Sequence, residues 1–372
     1  MSQLQKIAAQ FVRSGEVSAV ESLGNGNINN TYLVTVSDEA VSSETLSTQR
    51  FVLQKINTQI FRQPELVVRN MQVLSEHLDN SAADLSRRWE IPRILPASTG
   101  ESFWVDEFQG YWRAITFIEE SEVFETVESV DHAKEVGYGL AMFHSLISTL
   151  PTDRLADTLE GFHITPGYLS QYEAVLKNRK ATATASERME DVQYCLDFVA
   201  QRKDWVPVLE NAKASGHLPL RPIHGDPKVN NIMLGRDGRA VSLIDLDTVK
   251  PGLVHYDIGD CLRSGCNPLG EETTDWQQVV FDPELAKAML GGYLSLAKDF
   301  LTPQDYDYLY DGIRLIAFEL GLRFFTDYLA GDVYFKVKHP EHNLDRALVQ
   351  FQLTSSIEAQ EDALKSMIES MR

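Results

Sequence analysis

The sequence predicts an α+β protein with two lobes, a small antiparallel-sheet lobe followed by a mostly helical one. A chain of 372 residues is too long for one compact core and suits two. As far as residue 118, short runs with strand-like alternation predominate, separated by turns that contain Gly and Asn. Beyond residue 130, long segments with helical spacing of apolar residues follow one another. We therefore assign residues 1–118 to the first lobe and residues 119–372 to the second.

The small lobe is expected to combine a sheet with two helices. Apolar residues recur at helical spacing in segments 3–11 and 63–77. Six shorter segments, which alternate or are rich in β-branched and aromatic residues, are interpreted as strands: 17–23, 31–36, 51–57, 91–95, 102–108 and 111–118.

The large lobe is expected to be mainly α-helical. Helical spacing of apolar residues continues through segments that we interpret as helices at 130–150, 167–210 with a polar connector at 180–186, 283–299, 305–330 and 344–371.

Residues 221–249 carry the strongest local signal, with the sequence RPIHGDPKVNNIMLGRDGRAVSLIDLDTV. The Asp-Gly pair that ends at Gly238 is flanked by apolar runs and predicts a β-hairpin, because Gly supplies the positive φ of the turn. Asn231 and Asp245 each lie seven residues from Gly238. The hairpin therefore brings these two residues together at its open end. Asp226, five residues before Asn231, can reach the same end.

The chemistry of this end points to a divalent cation. Two carboxylates about 4 Å apart repel each other by roughly 4 kcal/mol at an effective dielectric constant of ~20. Asp226, Asp245 and Asp247 together therefore favour a cation, and all-oxygen ligands indicate Mg²⁺ or Mn²⁺ rather than zinc. An Asp, an Asn five residues later and another Asp after a hairpin is also the arrangement of kinase catalytic machinery. On this interpretation Asp226 orients the attacking hydroxyl and accepts its proton, while Asn231, Asp245 and Asp247 hold the metal.

These motifs resemble those of a known group of proteins. The segments HGDPKVNN at 224–231 and IDLD at 244–247 resemble the aminoglycoside phosphotransferase and choline kinase-like superfamily, which shares the protein-kinase fold. Within it, the chain is most similar to the N-acetylhexosamine 1-kinases, through GNGNINNTYLV at 24–34, IDLDTVKPGLVHYDIGD at 244–260 and RFFTDYLAGDVYFK at 323–336.

The resemblance implies a protein-kinase-like fold with ATP and Mg²⁺ as cofactors. The reaction would transfer the γ-phosphoryl group of ATP to a small molecule, an N-acetylhexosamine at its anomeric hydroxyl. Lys228, two residues after Asp226, has the spacing of the lysine that lies near the γ-phosphate in kinases that phosphorylate Ser and Thr. The acceptor would contact Arg323, Asp327 and Tyr334.

The nucleotide is expected to lie against the small lobe. A strand, a Gly/Asn turn and a second strand form the pattern of a phosphate-covering loop, whose exposed amides face the phosphates: Gly24, Asn25, Gly26 and Asn27. A strand lysine should contact the α- and β-phosphates, and Lys55 is the candidate, although a shift of one residue places Gln54 there instead. Its helix partner is either Glu65 or Glu76. The backbone at Phe117 and Ile118, where the sheet gives way to helical sequence, is the expected adenine-binding hinge.

Alternative functions are a kinase of an amine-bearing acceptor, such as an aminoglycoside or choline, and a nucleotide- or sugar-binding regulator without turnover.

The chain has 34 basic and 54 acidic residues and a formal net charge of −20, which argues against nucleic acid and anionic membranes as partners. Its three cysteines have no CxxC spacing, and no apolar run approaches the ~20 residues that span a bilayer. We therefore expect a cytoplasmic protein.

Overall fold

The small lobe is built on an antiparallel sheet, as the sequence predicts. The computed structural model describes residues 2–24, 28–37, 48–80, 87–178 and 188–372. The strands of the small lobe are β1 Glu16–Ser22, β2 Asn30–Ser37, β3 Thr48–Ile56, β4 Ile94–Leu95, β5 Trp104–Val105 and β6 Tyr111–Thr116. They are ordered β1-β2-β3-β6-β4, with β5 also paired to β6, and helices α1 Gln3–Ala8 and α2 Pro64–Asn80 complete the lobe.

Two of the predicted strands are much shorter than expected. The segment 91–95 contributes only Ile94 and Leu95, because Pro92 and Pro96 flank this pair and proline has no N–H for the ladder. The segment 102–108 ends its pairing at Val105. There the Asp106 carboxylate accepts hydrogen bonds from the backbone N–H groups of Phe108 and Gly110 and starts the turn.

The large lobe is mainly helical, which confirms the α+β prediction. Its helices are α3 Val130–Ile147, α4 Thr165–Asn178, α5 Met189–Arg202, α6 Val208–Ala214, α7 Val254–Gly265, α8 Pro283–Ala297, α9 Pro303–Asp307, α10 Leu309–Ala330, α11 His342–Ala359 and α12 Glu361–Met371. None of the helices in the described ranges has the length and apolar character needed to cross a bilayer. Five short strands accompany them: β7 Ser121–Glu122, β8 Arg221–Ile223, β9 Ile232–Gly235, β10 Ala240–Leu243 and β11 Lys250–Gly252.

The predicted hairpin is present as β9 and β10. Leu243 pairs with Ile232, Gly238 has a φ of 74° in the turn, and the ladder continues as the Ile244 N–H donates to the Asn231 carbonyl at 2.8 Å. β7 pairs with the outer side of β9. The chain that leaves β6 at Thr116 therefore joins the hairpin sheet, and residues 117–120 connect the two lobes.

Helix α3 supports the hairpin from behind. A Cβ on Gly139 would lie 2.9 Å from Ile232 Cγ2, and one on Gly137 would lie 1.9 Å from the Met289 carbonyl oxygen in α8. Glycine at both sites therefore lets the backbones approach closely. This close packing of α3 against β9 and α8 fixes the position of the hairpin within the large lobe.

Candidate active site

The loop between β8 and β9 carries the predicted proton acceptor and is anchored from below. Asp257, at the start of α7, is 0% exposed and accepts hydrogen bonds from the backbone N–H groups of His224 at 2.7 Å and Gly225 at 2.8 Å. His144 of α3 contacts the same carboxylate at 2.8 Å through Nε2. Gly225 has a φ of 90°, and a Cβ there would lie 2.7 Å from the Thr248 carbonyl oxygen. The loop conformation therefore depends on this glycine and on Asp257.

Asp226, Lys228 and Asn231 are brought together by this loop. Lys228 Nζ lies 3.3 Å from Asp226 Oδ2, and both side chains are about one-third exposed, at 33% and 30%. The negative charge of Asp226 raises the pKa of Lys228 above its usual value, so the ammonium group stays protonated. Asn231 Nδ2 donates to the Asp226 carbonyl at 2.7 Å and approaches its carboxylate at 3.4 Å. The amide NH₂ is thus engaged, which leaves Asn231 Oδ1 to face a cation.

Asp245 lies at the open end of the hairpin, next to the residue that pairs with Asn231. Its left-handed conformation, with φ 63° and ψ 57°, turns the chain sharply after β10. Asp245 is solvent-exposed, yet desolvation by the surrounding protein raises the pKa of its carboxyl group, and the charges of Asp247 and Asp226 raise it further. A divalent cation would relieve this repulsion. Asn231 and Asp245 therefore fit Mg²⁺, which proteins often hold through one or two side chains while substrate phosphates supply other ligands.

Asp247, predicted as a third metal ligand, is engaged elsewhere. It is 2% exposed, one oxygen forms an ion pair with Arg113, and the other accepts a hydrogen bond from Asn29 Nδ2 at 2.6 Å. Within the described ranges, no group of three or more His, Cys, Asp or Glu side chains is arranged to hold a metal. The carboxylate of Asp247 thus serves an internal network, because burial demands a partner for its charge.

The strand register shows which residue of β3 faces the cleft. Gln54 pairs with Arg113 and Lys55 pairs with Trp112. Gln54 Oε1 accepts a hydrogen bond from Arg113 Nε at 2.9 Å, on the side of the sheet that meets Asp247. Lys55 Nζ lies 5.6 Å from the centre of the Trp112 ring, on the opposite side. Lys55, the predicted phosphate contact, therefore lies on the face away from Asp247, and Gln54 lies on the face towards it. Contact of either residue with the phosphates stays a prediction.

Two further predicted nucleotide contacts lie in the connection between the lobes. Ile118 is 4% exposed and its carbonyl accepts a hydrogen bond from Ser121 Oγ at 2.8 Å. The Phe117 ring is covered by the Arg50 guanidinium at 4.6 Å. Gly24 has a φ of 69°, in the left-handed region that favours glycine. The rest of the predicted phosphate loop lies outside the described residues: Asn25, Gly26 and Asn27.

A cavity of about 150 Å³ opens beside Asp226 and Lys228. Its walls are both apolar and charged and include Phe162, His163, Glu319, Arg323, Tyr334 and Lys336. Two of the predicted acceptor contacts, Arg323 and Tyr334, therefore line the same cavity as Asp226 and Lys228.

Asp327, the third predicted acceptor contact, does not line this cavity. It is 5% exposed, and its oxygens accept the backbone N–H groups of Val333, Tyr334 and Phe335, each at 2.9 Å. These three backbone donors occupy both oxygens of the Asp327 carboxylate, so it holds the loop after α10 in place and is not available to a sugar.

Two residues of the cavity wall were missed by sequence reasoning. His163 Nε2 lies 2.6 Å from the Gly225 carbonyl oxygen, and His163 Nδ1 lies 2.9 Å from Glu319 Oε1. Nothing in the sequence around His163 distinguishes it. Glu319, however, interrupts the apolar run LIAFELGL of α10, and a carboxylate on a buried helix face needs a partner. This signal could have identified Glu319 as a functional or structural site.

His163 is expected to make stability depend on pH. Both of its partners are acceptors, so both ring nitrogens must donate and the ring must be the imidazolium. Burial by itself lowers the pKa of His163, but the charge and hydrogen bond of Glu319 and the Gly225 carbonyl outweigh it, so the pKa is raised above 6.5. Because the folded pKa is the higher one, this stabilisation is fully present below pH 6.5 and is lost as pH rises through the folded pKa.

We therefore expect His163→Gln to lower the free energy of unfolding by about 3–5 kcal/mol at pH 6, because Glu319 loses its buried counter-charge. The difference from wild type should shrink as pH rises, in urea unfolding curves recorded between about pH 5.5 and 9. The exposed His217 provides the control, and His217→Gln should stay within about 0.5 kcal/mol of wild type throughout. A difference for His163→Gln that is constant with pH would contradict the imidazolium assignment.

Comparison with known proteins identifies a family whose sequence model matches this chain and solved structures that share its fold. A sequence model of the phosphotransferase enzyme family matches residues 19–300. An aminoglycoside phosphotransferase from Alicyclobacillus acidocaldarius is 15% identical, with a TM-score of 0.59 over 98% of this chain and 96% of that protein. A microcompartment-associated aminopropanol kinase is 16% identical, with a TM-score of 0.59 over 97% and 98%. An ethanolamine kinase of Plasmodium vivax is 15% identical, with a TM-score of 0.55 over 89% and 82%. These similarities confirm the predicted kinase-like two-lobed fold.

Proposed function

Because the chain belongs to the phosphotransferase enzyme family, we propose that it is an ATP-dependent kinase of a small molecule, an N-acetylhexosamine phosphorylated at its anomeric hydroxyl. The family supports phosphoryl transfer, and the assignment of the acceptor is supported by the chemistry of the cavity. The sugar and the carbon that is phosphorylated rest on the resemblance of segments 24–34, 244–260 and 323–336 to the N-acetylhexosamine 1-kinases.

In this reaction Asp226 accepts a hydrogen bond from the acceptor hydroxyl and takes its proton. The hydroxyl oxygen forms a bond to the γ-phosphorus, the bond from that phosphorus to the β,γ-bridging oxygen breaks, and ADP leaves. Lys228, held 3.3 Å from Asp226, is close enough to stabilise the charge of the transferred group. Asn231 and Asp245 would hold Mg²⁺, which would neutralise charge on the phosphates.

The observation that carries the choice of a neutral acceptor is the environment of Arg323. Its guanidinium carbon lies 5.1, 5.0 and 5.5 Å from the ring centres of Phe162, Tyr168 and Phe335. An amine-bearing acceptor would be recognised by open aromatic faces and free carboxylates. Here a protein cation already lies against two aromatic residues of the cavity wall, Phe162 and Phe335. A hydroxyl-rich acceptor with a carbonyl group can instead accept hydrogen bonds from the guanidinium.

The carboxylates of the cavity wall are also largely engaged. Glu319 is paired with His163 and accepts a second hydrogen bond from Thr165 at 2.6 Å, while Arg263 binds Asp260 at 2.8 Å and Glu271 at 2.9 Å. A cationic acceptor would therefore have to compete with these internal partners.

A kinase of an amine-bearing acceptor is the second candidate, and one observation favours it. The buried Oδ2 atom of Asp260 has no hydrogen-bond partner within the described residues, so it could accept one from an ammonium group. The related folds named above include kinases of ethanolamine and aminopropanol.

An acceptor panel tests the proposal. Purified protein with Mg²⁺ and ATP would be assayed for ADP release with N-acetylglucosamine, N-acetylgalactosamine, glucose, galactose, ethanolamine, choline and kanamycin. We expect kcat/KM to be at least about 10²-fold higher for the N-acetylhexosamines, since a site built for hydrogen bonding rejects analogues that lack the group. ³¹P NMR should show the product as an anomeric phosphate. A preference for ethanolamine, choline or kanamycin would favour the second candidate, and nucleotide binding without turnover on any acceptor would favour a regulator.

A further inference from the structure

Arg113 of β6 is a buried cation that contacts Asp247, two residues after the candidate metal ligand Asp245. Its side chain is 1% exposed, and three of its nitrogens are engaged. Nε donates to Gln54 Oε1 at 2.9 Å, Nη1 approaches Met71 Sδ in α2 at 3.2 Å, and Nη2 forms the ion pair with Asp247. One guanidinium thus contacts the central strand of the small lobe, its helix and the large lobe.

Asp247 completes a chain of contacts back to the small lobe. Its second oxygen accepts a hydrogen bond from Asn29, which follows the predicted phosphate loop, and Asn29 Oδ1 in turn accepts the N–H of Asn57 at 2.9 Å. Asp247 stands two residues after Asp245, in the 3-10 turn Leu246–Thr248. The segment that carries the candidate metal ligand is therefore contacted by both Arg113 of β6 and Asn29 of the small lobe.

Lys55 of β3 forms no ion pair with either of the candidate glutamates on α2. Lys55 lies on the opposite face of the sheet, by Trp112. Glu65 is exposed, and Glu76 forms its ion pair with Arg154 at 3.2 Å. Among the described residues, the ion pair expected between β3 and α2 is not formed, whereas Arg113 of the neighbouring strand β6 forms one with Asp247.

We propose that Arg113 is a positioning residue of the kinase reaction, which acts through Asp247 to hold Asp245 and Asn29 in place across the two lobes. This inference rests on the proposed function. Arginine suits the role because its planar fork of donors can meet three partners in fixed directions, whereas a lysine ammonium on a flexible stem cannot. By neutralising Asp247, Arg113 also leaves Asp245 as the carboxylate of segment 245–247 that can face a cation.

The test compares nucleotide binding with and without Mg²⁺. Isothermal titration of ADP would be performed on wild type, Arg113→Lys and Lys55→Gln. We expect Arg113→Lys to weaken binding of ADP at least about tenfold in the presence of Mg²⁺ and less than about threefold in its absence. The tenfold figure corresponds to the loss of one or two hydrogen bonds made by a charged group. A merely structural role would not change the difference between the two conditions. The rival outcome, in which Lys55→Gln removes the effect of Mg²⁺ and Arg113→Lys does not, would overturn the inference.

A second pair of variants guards against loss of folding. Arg113→Gln leaves Asp247 buried without its counter-charge, whereas Arg113→Gln combined with Asp247→Asn removes both charges. We expect the folding equilibrium constant of the double variant to exceed that of Arg113→Gln at least tenfold, about the size of a typical coupling between paired groups, and the effect of Mg²⁺ on ADP binding to remain lost. If the double variant binds ADP with Mg²⁺ as tightly as wild type does, the inference about Arg113 is overturned but the proposed function is not. Absence of any effect of Mg²⁺ in wild type would overturn the proposed function as well.

Discussion

Asp226→Asn is expected to lower kcat by a factor of about 10²–10⁴, the usual contribution of a positioned general base. Asparagine has nearly the same shape but cannot take the proton of the acceptor hydroxyl. Because Asp226 is partly exposed and the loop around it is anchored by Asp257, the free energy of unfolding should change by no more than about 0.5 kcal/mol. Initial rates of ADP release and urea unfolding measure the two quantities on the same preparation.

Asp237→Asn is the matched control for this prediction. Asp237 precedes Gly238 in the turn of the same hairpin, its side chain is 64% exposed, and it lies near Arg239 rather than in the cleft. Its kcat should equal that of wild type. Wild-type turnover by Asp226→Asn would remove Asp226 from the mechanism, whereas equal losses in both variants would show that the hairpin, and not the proton acceptor, had been disturbed.

Asp257→Asn is expected to reduce both stability and turnover. The buried carboxylate receives hydrogen bonds from two backbone N–H groups and contacts His144, and an amide cannot serve all three. Removing one partner of such a buried charged network costs about 3–5 kcal/mol. The loop that carries Asp226 should also move, and misplacement of a catalytic group by about 1 Å can cost about 10²-fold in rate.

Urea unfolding and kcat separate Asp257 from Asp226. Asp226→Asn should change only kcat, while Asp257→Asn should change both kcat and the free energy of unfolding. Asp299→Asn, an exposed aspartate after α8, serves as the control for loss of a carboxylate and should change neither. Wild-type stability in Asp257→Asn would show that the His224 and Gly225 amides do not depend on this carboxylate.

The part of the site that the sequence predicted is the part built within one short segment. The Asp-Gly turn before a run of apolar residues predicted the β9–β10 hairpin, and the structure confirms its turn at Gly238 and its pairing of Ile232 with Leu243. Turn chemistry and strand alternation act over a few residues. The roles of Asp226, Asn231 and Asp245 remain proposals, but their proximity follows from this local geometry.

Other parts of the site depended on contacts between distant segments. Lys55 and Gln54 have the same sequence environment, and only the pairing of β3 with β6 decides which one faces Asp247, because a shift of one residue reverses the face of a strand. Asp247 and Asp327 are carboxylates in segments that resemble a kinase, yet Arg113 and the amides of residues 333–335 engage them. No local pattern shows which donors a buried carboxylate will meet.

The sequence by itself determined the α+β class, the hairpin and the ordered set of Asp226, Asn231 and Asp245, because periodicity and turn geometry are properties of neighbouring residues. Only the tertiary structure decided that Arg113 pairs with Asp247 across 134 residues and that His163 bridges Glu319 and Gly225. It also decided that Arg323 lies against Phe162 and Phe335 of the cavity wall. Those contacts form when separate elements pack together and each buried charge takes the partner that packing brings within reach.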